Sequence, residues 1–546
     1  MSTRFVRKRP GRLRIRTTSL LCSDWSMYMK AFHLIILSFV LLILSACTQP
    51  IEQVSILAGS ELKDIKPMLD EIQRETGIQI EFQFTGTLDG AETLATGQLY
   101  DMGWFSHAKY LSLLEGRAGE KIIHAAEKLM LSPVIAGVKK SIADRWGWCD
   151  NPSVSWKDFA DRASSGQLSY AMTNPASSNS GFSATVGVQS ALAGGETLQP
   201  EMIDSEAMKG FAKGHRLTAG SSGWLAEKYM AEQGRVDAIF NYESVLLGMN
   251  ESGHLRETLC LIYPPEGVIT ADYPLLLLNK NKTSAYTKLI SYFKRPEVQR
   301  RLMAETARRP VAPEIGLDKR FPNSIVMELP FPGKVETVDQ ILTTYLDKQR
   351  APSTSIFVLD LSGSMRGENL DQLKQAMRNL AGADKSITGK FARFRAREQV
   401  IVIPFSNRPM RSQSYEIASG VGNDPALQDL RRAVDSLTAN GGTAIYDALA
   451  RAYKTASQAR EHDPDRFYSI ALLSDGKNTQ GDTFHQFREI YNKNHDDYAG
   501  IPTFPIIFGG ADKHEMISLA ELTGGREFDS TKQSLAQVFK KIRGYQ

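Results

Sequence analysis

Between residues 360 and 364 the chain reads Asp-Leu-Ser-Gly-Ser, so Asp360, Ser362 and Ser364 present oxygen-bearing side chains at alternate positions of one short stretch. Residues so spaced in a loop can turn their oxygens toward a common point. A hard divalent cation takes oxygen ligands, and Mg2+ keeps several of its waters. Two later stretches have matching chemistry. Asn440-Gly441-Gly442-Thr443-Ala444 combines glycines, which let the backbone come close, with the hydroxyl of Thr443. Ser474-Asp475-Gly476 ends an apolar run and adds a second carboxylate. The expected centre is Asp360, Ser362, Ser364, Thr443 and Asp475 around Mg2+, with Mn2+ or Ca2+ as substitutes.

Such a centre needs strand ends to hold it. Ile356-Phe357-Val358-Leu359 is a continuous apolar run, as expected of a central parallel strand covered on both faces. Similar runs recur at 400–403, 470–473 and 505–508, separated by amphipathic stretches such as Leu370, Leu373, Met377 and Leu380. The pattern predicts a doubly wound, Rossmann-like α/β domain over residues 351–546, whose ligands bind beyond the carboxyl ends of the strands. The ordered set DLSGS, GGT and SDG resembles the von Willebrand factor A (VWA) domain with its metal-ion-dependent adhesion site. The resemblance implies that Ser362 and Ser364 bind the metal directly and that Thr443 binds it directly or through water. It also implies that Asp360 and Asp475 hold coordinating waters, and that one position stays open for an acidic side chain of a partner protein.

A second group of polar residues lies upstream. Ser60 precedes a helical pattern, Ser106 follows an apolar strand, and Ser177, Ser178 and Ser180 precede another helical run. Helix starts offer free N–H donors and partial positive charge, a ready anion site. Simple N-capping explains serines at these positions equally well. Tyr242 and Glu243, after the Val236–Phe240 strand, are further candidates, although a glutamate disfavours an anion. His107, beside Ser106, reads as a surface residue.

The elements around these serines begin with a strand at 54–57, a helical pattern through Leu62, Ile65, Met68, Leu69 and Ile72, and an alternating strand at 78–84. Strand, helix and strand with short connections read as a βαβ unit on a parallel sheet. The ordered segments AGSELKDIKPMLDEIQRETGIQIEF, TLATGQLYDMGWFS, SPVIAGVKK, NPASSNSGFSATVG, RVDAIFNYES and PEVQRRLMAETARRPV resemble bacterial extracellular solute-binding proteins. That resemblance implies a two-lobed, periplasmic-binding-protein-like module over 48–320 that closes on a small solute, with hydroxyls and helix N-termini holding an anionic group; Ser60, Ser106, Ser178, Ser180 and Tyr242 are the candidate contacts here, and Glu243 leaves the ligand class open. Residues 321–350 then read as a linker with one helix.

The front of the chain reads as a processing signal. Leu34–Ala46 is thirteen residues without a charge, too short for a bilayer span of about 20 and suited to a signal-peptide core. It runs into Leu44-Ser45-Ala46-Cys47, which resembles the bacterial lipobox and implies cleavage of 1–46 and acylation of Cys47, hence export and a lipid anchor in the cell membrane or outer membrane, facing periplasm or exterior. Residues 1–28 fit an over-extended start, with Met29-Lys30 a conventional one. Cys149 and Cys260 then sit in an oxidising compartment, as a disulfide or as two buried thiols.

The 546 residues carry a net charge of +4, but residues 1–46 alone carry +7, leaving −3 on the remaining 500. That balance offers no argument for nucleic acid as a partner, and none is expected. No phosphate-cradling loop, zinc motif or nucleophile elbow is present, so the chain reads as a non-enzymatic binding protein. Its expected partners are an acidic protein, a small solute and the membrane. The alternatives are the receptor of an ABC-type importer and an assembly factor for a metal-inserting or ATPase complex.

Overall fold

The computed structural model describes residues 51–203, 206–322, 326–384, 387–420, 423–531 and 534–545. Cys47 and the expected signal segment, residues 1–46, lie outside the described residues. The first module has two mixed sheets. One runs in the order Ile78–Thr85, Glu52–Gly59, Met102–Trp104, Pro274–Leu277 and Ala125–Lys128. The other is built on Met130–Lys139, Ala238–Tyr242, Tyr170–Thr173 and His215–Ala219, with three short strands added to Met130–Lys139. The expected βαβ unit is present, since Glu52–Gly59 pairs parallel with Ile78–Thr85. The sheet is not parallel throughout, however. The chain leaves the first lobe after Lys128 and re-enters at Pro274, and the returning strand pairs antiparallel with both neighbours. The helical pattern after Ser60 is split by Pro67: a 3-10 stretch at Ser60–Met68 precedes the α-helix Leu69–Thr76. A proline has no N–H to donate to an α-helical turn.

Cys149 and Cys260 are joined by a disulfide across a Cα separation of 5.5 Å, tying the segment after helix Lys140–Trp146 to strand Leu259–Ile262.

The linker contains helix Val335–Thr344, continued by a wider turn at Tyr345–Gln349. It leads into a six-stranded sheet ordered Gln413–Glu416, Gln399–Phe405, Ser353–Asp360, Phe467–Ser474, Thr503–Ile507 and Phe528–Asp529. All neighbours are parallel except the Gln413–Glu416 edge. Ser353–Asp360 lies at the centre and is buried along its whole length, which explains its unbroken apolar run. Helix Ile445–His462 covers one face, and helix Leu535–Arg543 packs Phe539 against Phe357 on the other.

His215 marks where the modules meet. Its Nδ1 lies 2.9 Å from the Tyr345 hydroxyl of the linker, and its Nε2 lies 2.8 Å from the Met172 carbonyl. Burial pushes its pKa down from 6.5 to about 4, against the pull of the Met172 and Leu217 carbonyls. The folded pKa is the lower one, so the unfolded chain takes up this proton first. The contribution of neutral His215 is fully present above pH 6.5 and is lost as pH falls toward 4, by about 3 kcal/mol in all. Urea melts of the parent and of His215→Asn from pH 7 to 4 should diverge by that amount; parallel curves would refute the assignment.

Candidate functional site

At the carboxyl end of the central strand, Asp360 uses both carboxylate oxygens to shape the loop. Oδ1 accepts from the Ser362 amide at 2.7 Å, and Oδ2 accepts from the Ser474 hydroxyl at 2.5 Å. Burial raises its pKa and the nearby Asp475 charge adds to this, while Ser474 and Ser362 pull it back. The loop turns Ser362 and Ser364 toward each other, with their hydroxyl oxygens 3.0 Å apart. Ser364 donates to Asp475 Oδ1 at 2.6 Å, and Asn369 holds Oδ2 at 2.8 Å.

The glycine-rich loop arrives from the side. The Gly363 amide donates to the Gly441 carbonyl at 2.9 Å, and the Gly442 amide donates to Asn407 at 2.6 Å. Gly441 adopts φ +91°, a conformation side chains rarely take. Thr443 is fixed by Thr479, which accepts from its amide at 2.9 Å. A Cβ added at Gly476 would sit 3.6 Å from Ser364 Oγ and 3.9 Å from Thr443 Oγ1. The structure thus links Asp360, Ser362, Ser364 and Asp475 through one chain of hydrogen bonds, with Thr443 on the neighbouring loop. Ser362, Thr443 and Asp475 are buried, while Ser364 is exposed at the mouth.

This donor set fits a hard divalent cation. Two carboxylates share a site in which, among the described residues, neither has a Lys or Arg partner; like charges so placed favour a cation between them. Sequence reasoning missed Asn369, Ser474, Asn407 and Thr479, which brace the site from neighbouring loops. Ser474 stood inside the quoted Ser-Asp-Gly; the others carry no spacing signal.

The second site lies between the two lobes. Ser106 Oγ sits 2.9 Å from Thr87 Oγ1. Ser180 and Ser178 lie 3.0 and 3.3 Å from Ser222 Oγ. Asn179 donates to the Tyr242 hydroxyl at 3.2 Å, and Ser106 and Ser222 also bond it. Ser60 accepts from the Gly223 amide at 3.0 Å, a bond from the second lobe to the first. Ser60, Ser106, Ser178, Ser180 and Tyr242 are all at most 1 % exposed. Ser178 occupies an N-cap position but makes no side-chain cap bond, so its hydroxyl faces the seam instead of closing its own helix.

Two expectations need correction. His107 is buried, 1 % exposed, and burial pushes its pKa down to about 4. The strand that precedes it carries it inward beside Phe331. Glu243 is held by Arg309 at 2.7 Å and by the Tyr263 hydroxyl at 2.6 Å, so its charge is answered within the protein. Thr87, Asn179, Ser222 and Glu61 were missed. Ser221-Ser222 follows a strand and opens a helix just as Ser177–Ser180 does, so the same signal was available. Glu61, whose Oε1 is unpartnered, is pushed up by burial to about 7.

Residues 54–305 match the family model for bacterial extracellular solute-binding proteins, and residues 356–542 match that for the von Willebrand factor type A domain. The chain carries an extracellular solute-binding domain followed by a VWA domain. Such domains are typically binding modules without catalysis. The chain is 30 % identical over 135 residues to the uncharacterized protein sll0103 of a Synechocystis species, and 31 % identical over 134 residues to human inter-alpha-trypsin inhibitor heavy chain H2. Each match takes in 24 % of this chain, and 27 % and 13 % of the respective relative. Among solved structures, the periplasmic binding protein AfuA of Actinobacillus pleuropneumoniae is similar at TM-score 0.44 and 12 % identity, over 55 % of this chain and 98 % of that one. A von Willebrand factor type A protein of Catenulispora acidiphila is similar at TM-score 0.29 and 17 % identity, over 36 % and 43 %. No described helix of the solute-binding and VWA domains is long and apolar enough to cross a membrane.

Proposed function

We propose that this protein is an exported receptor, anchored to the cell envelope through acylated Cys47. Its VWA domain, loaded with Mg2+, would bind an acidic side chain of a partner protein, and its two-lobed module would bind a small solute through an anionic group. The observation that supports this reading most is the bonded set Asp360, Ser362, Ser364 and Asp475 beside Thr443, with neither carboxylate paired to a basic side chain among the described residues. A bound cation there would supply an electrophilic position for a carboxylate. The residues of the chain shape that position: Asp360 braces the loop, Asn369 orients Asp475, and exposed Ser364 sets the mouth. Arg366, Arg408 and Lys477, all exposed on the framing loops, favour an acidic approach. For the solute, the starts of four helical segments, at Ser60, Thr87, Asn179 and Ser222, meet buried hydroxyls at the lobe seam.

Immobilised poly-glutamate serves as the probe for the partner. The full chain should be retained in Mg2+ and released by EDTA, and Thr443→Ala should not be retained. Equal retention with and without Mg2+ would overturn the reading.

A further inference from the structure

The last helix of the VWA domain, Leu535–Arg543, does more than cover its own sheet. One side reaches the first lobe of the solute-binding module. Lys540 Nζ lies 2.7 Å from Glu92 Oε2 and 3.3 Å from Asp89 Oδ1, both on helix Thr87–Ala95, and all three groups are buried. The end of the same helix reaches the second lobe. Asn174 donates to the Arg543 carbonyl at 3.4 Å. Gly544 packs so closely that a Cβ there would sit 2.9 Å from Gly220 Cα and 3.0 Å from Ser177 Oγ. The Tyr545 ring stacks on Trp224, over which the Arg526 guanidinium also lies at 3.8 Å.

These two grips straddle the place where the lobes touch. The Asp89 amide donates to the Ser177 carbonyl at 3.1 Å across the seam. A Cβ on Gly86 would lie only 2.3 Å from that carbonyl and 2.6 Å from that of Gly220. The helix is itself held rigidly in the VWA domain, because Arg543 is paired with buried Glu398 at 2.6 Å. A rotation that parts the lobes would draw Asp89 and Glu92 away from Ser177 and Gly220, and one rigid helix cannot follow both. Opening must therefore break the Lys540 pairs, leaving buried charge uncompensated, or strip the Gly544–Tyr545 end from the second lobe.

We infer that the C-terminal helix of the VWA domain is a clamp that holds the two lobes of the solute-binding module closed. Docking of the VWA domain and closure of the lobes are then one linked equilibrium, so whatever favours one favours the other. This goes beyond the solute and metal readings and needs neither ligand.

Hydrogen exchange on the full chain, without solute or metal, tests it. Lys540→Gln removes the grip on the first lobe, and Trp224→Ala weakens the grip on the second by taking away the ring on which Tyr545 stacks. In each variant, exchange in the seam peptides 86–95, 174–180 and 220–226 should rise about tenfold or more. The central strand Ser353–Asp360 should stay as protected as in the parent, which shows that the VWA domain remains folded. If either substitution leaves exchange at the seam unchanged, the clamp is refuted.

Discussion

Saturating Mg2+ should raise the melting transition of the VWA domain by about 5–10 °C, and Thr443→Ala should abolish that rise. At a hundredfold excess over its dissociation constant, a ligand that binds only the folded state adds about 2.7 kcal/mol. For a domain of this size each kcal/mol moves the midpoint by about 2–4 °C. Thr443→Ala is the informative variant because it removes one hydroxyl while the loop remains anchored by the Gly363–Gly441 and Gly442–Asn407 bonds. Asp360→Ala should also lose the response, but it frees the Ser362 amide and the Ser474 hydroxyl and so lowers stability without metal too. Scanning calorimetry of the three proteins with Mg2+ and with EDTA separates these effects. An undiminished shift in Thr443→Ala would remove its hydroxyl from the site.

Glu398→Ala should be the most damaging single substitution away from either site, costing about 3–5 kcal/mol. Glu398 is 1 % exposed and receives Arg350, Arg543 at 2.6 Å and the Arg395 amide at 3.0 Å. Burial alone would push its pKa up. The charges of Arg543 and Arg350, with their hydrogen bonds, overcome this and hold it below the usual carboxylate range. Truncation strands two arginines that are themselves buried, one from the linker and one from the last helix. Urea denaturation followed at the C-terminal transition measures the loss, and a cost under about 1 kcal/mol would mean that water replaces the carboxylate. Because the folded pKa is depressed, this stabilisation is present above the ordinary glutamate range and is lost as pH falls through the lower folded value.

The candidate centre was legible because its residues sit in three short motifs at strand ends, and strand ends can be located from unbroken apolar runs. The central strand is the clearest case: Ile356–Leu359 is apolar without interruption because both faces are covered. The lobe seam was only half legible. The serines at 60, 106, 178 and 180 were visible as helix and strand punctuation, but which of them meet depends on how two lobes close, and no local pattern encodes a rotation between domains. His107 misled for a related reason. A single histidine after a strand gives no sign of which way it turns, and the packing of Phe331 from the linker decides it. The antiparallel return at Pro274–Leu277 was hidden because an apolar strand reads the same in either direction. Lys540 and Glu92 are 448 positions apart, and a pair so distant leaves no trace in composition or spacing.

Crystals of the protein soaked in Mn2+ and measured at the manganese absorption edge give the most direct test. An anomalous peak should stand within bonding distance of the Ser362 and Ser364 hydroxyls, beside Thr443 and Asp475. A map with no peak there, while manganese is ordered elsewhere on the same molecule, would contradict the cation site and the adhesive role built on it.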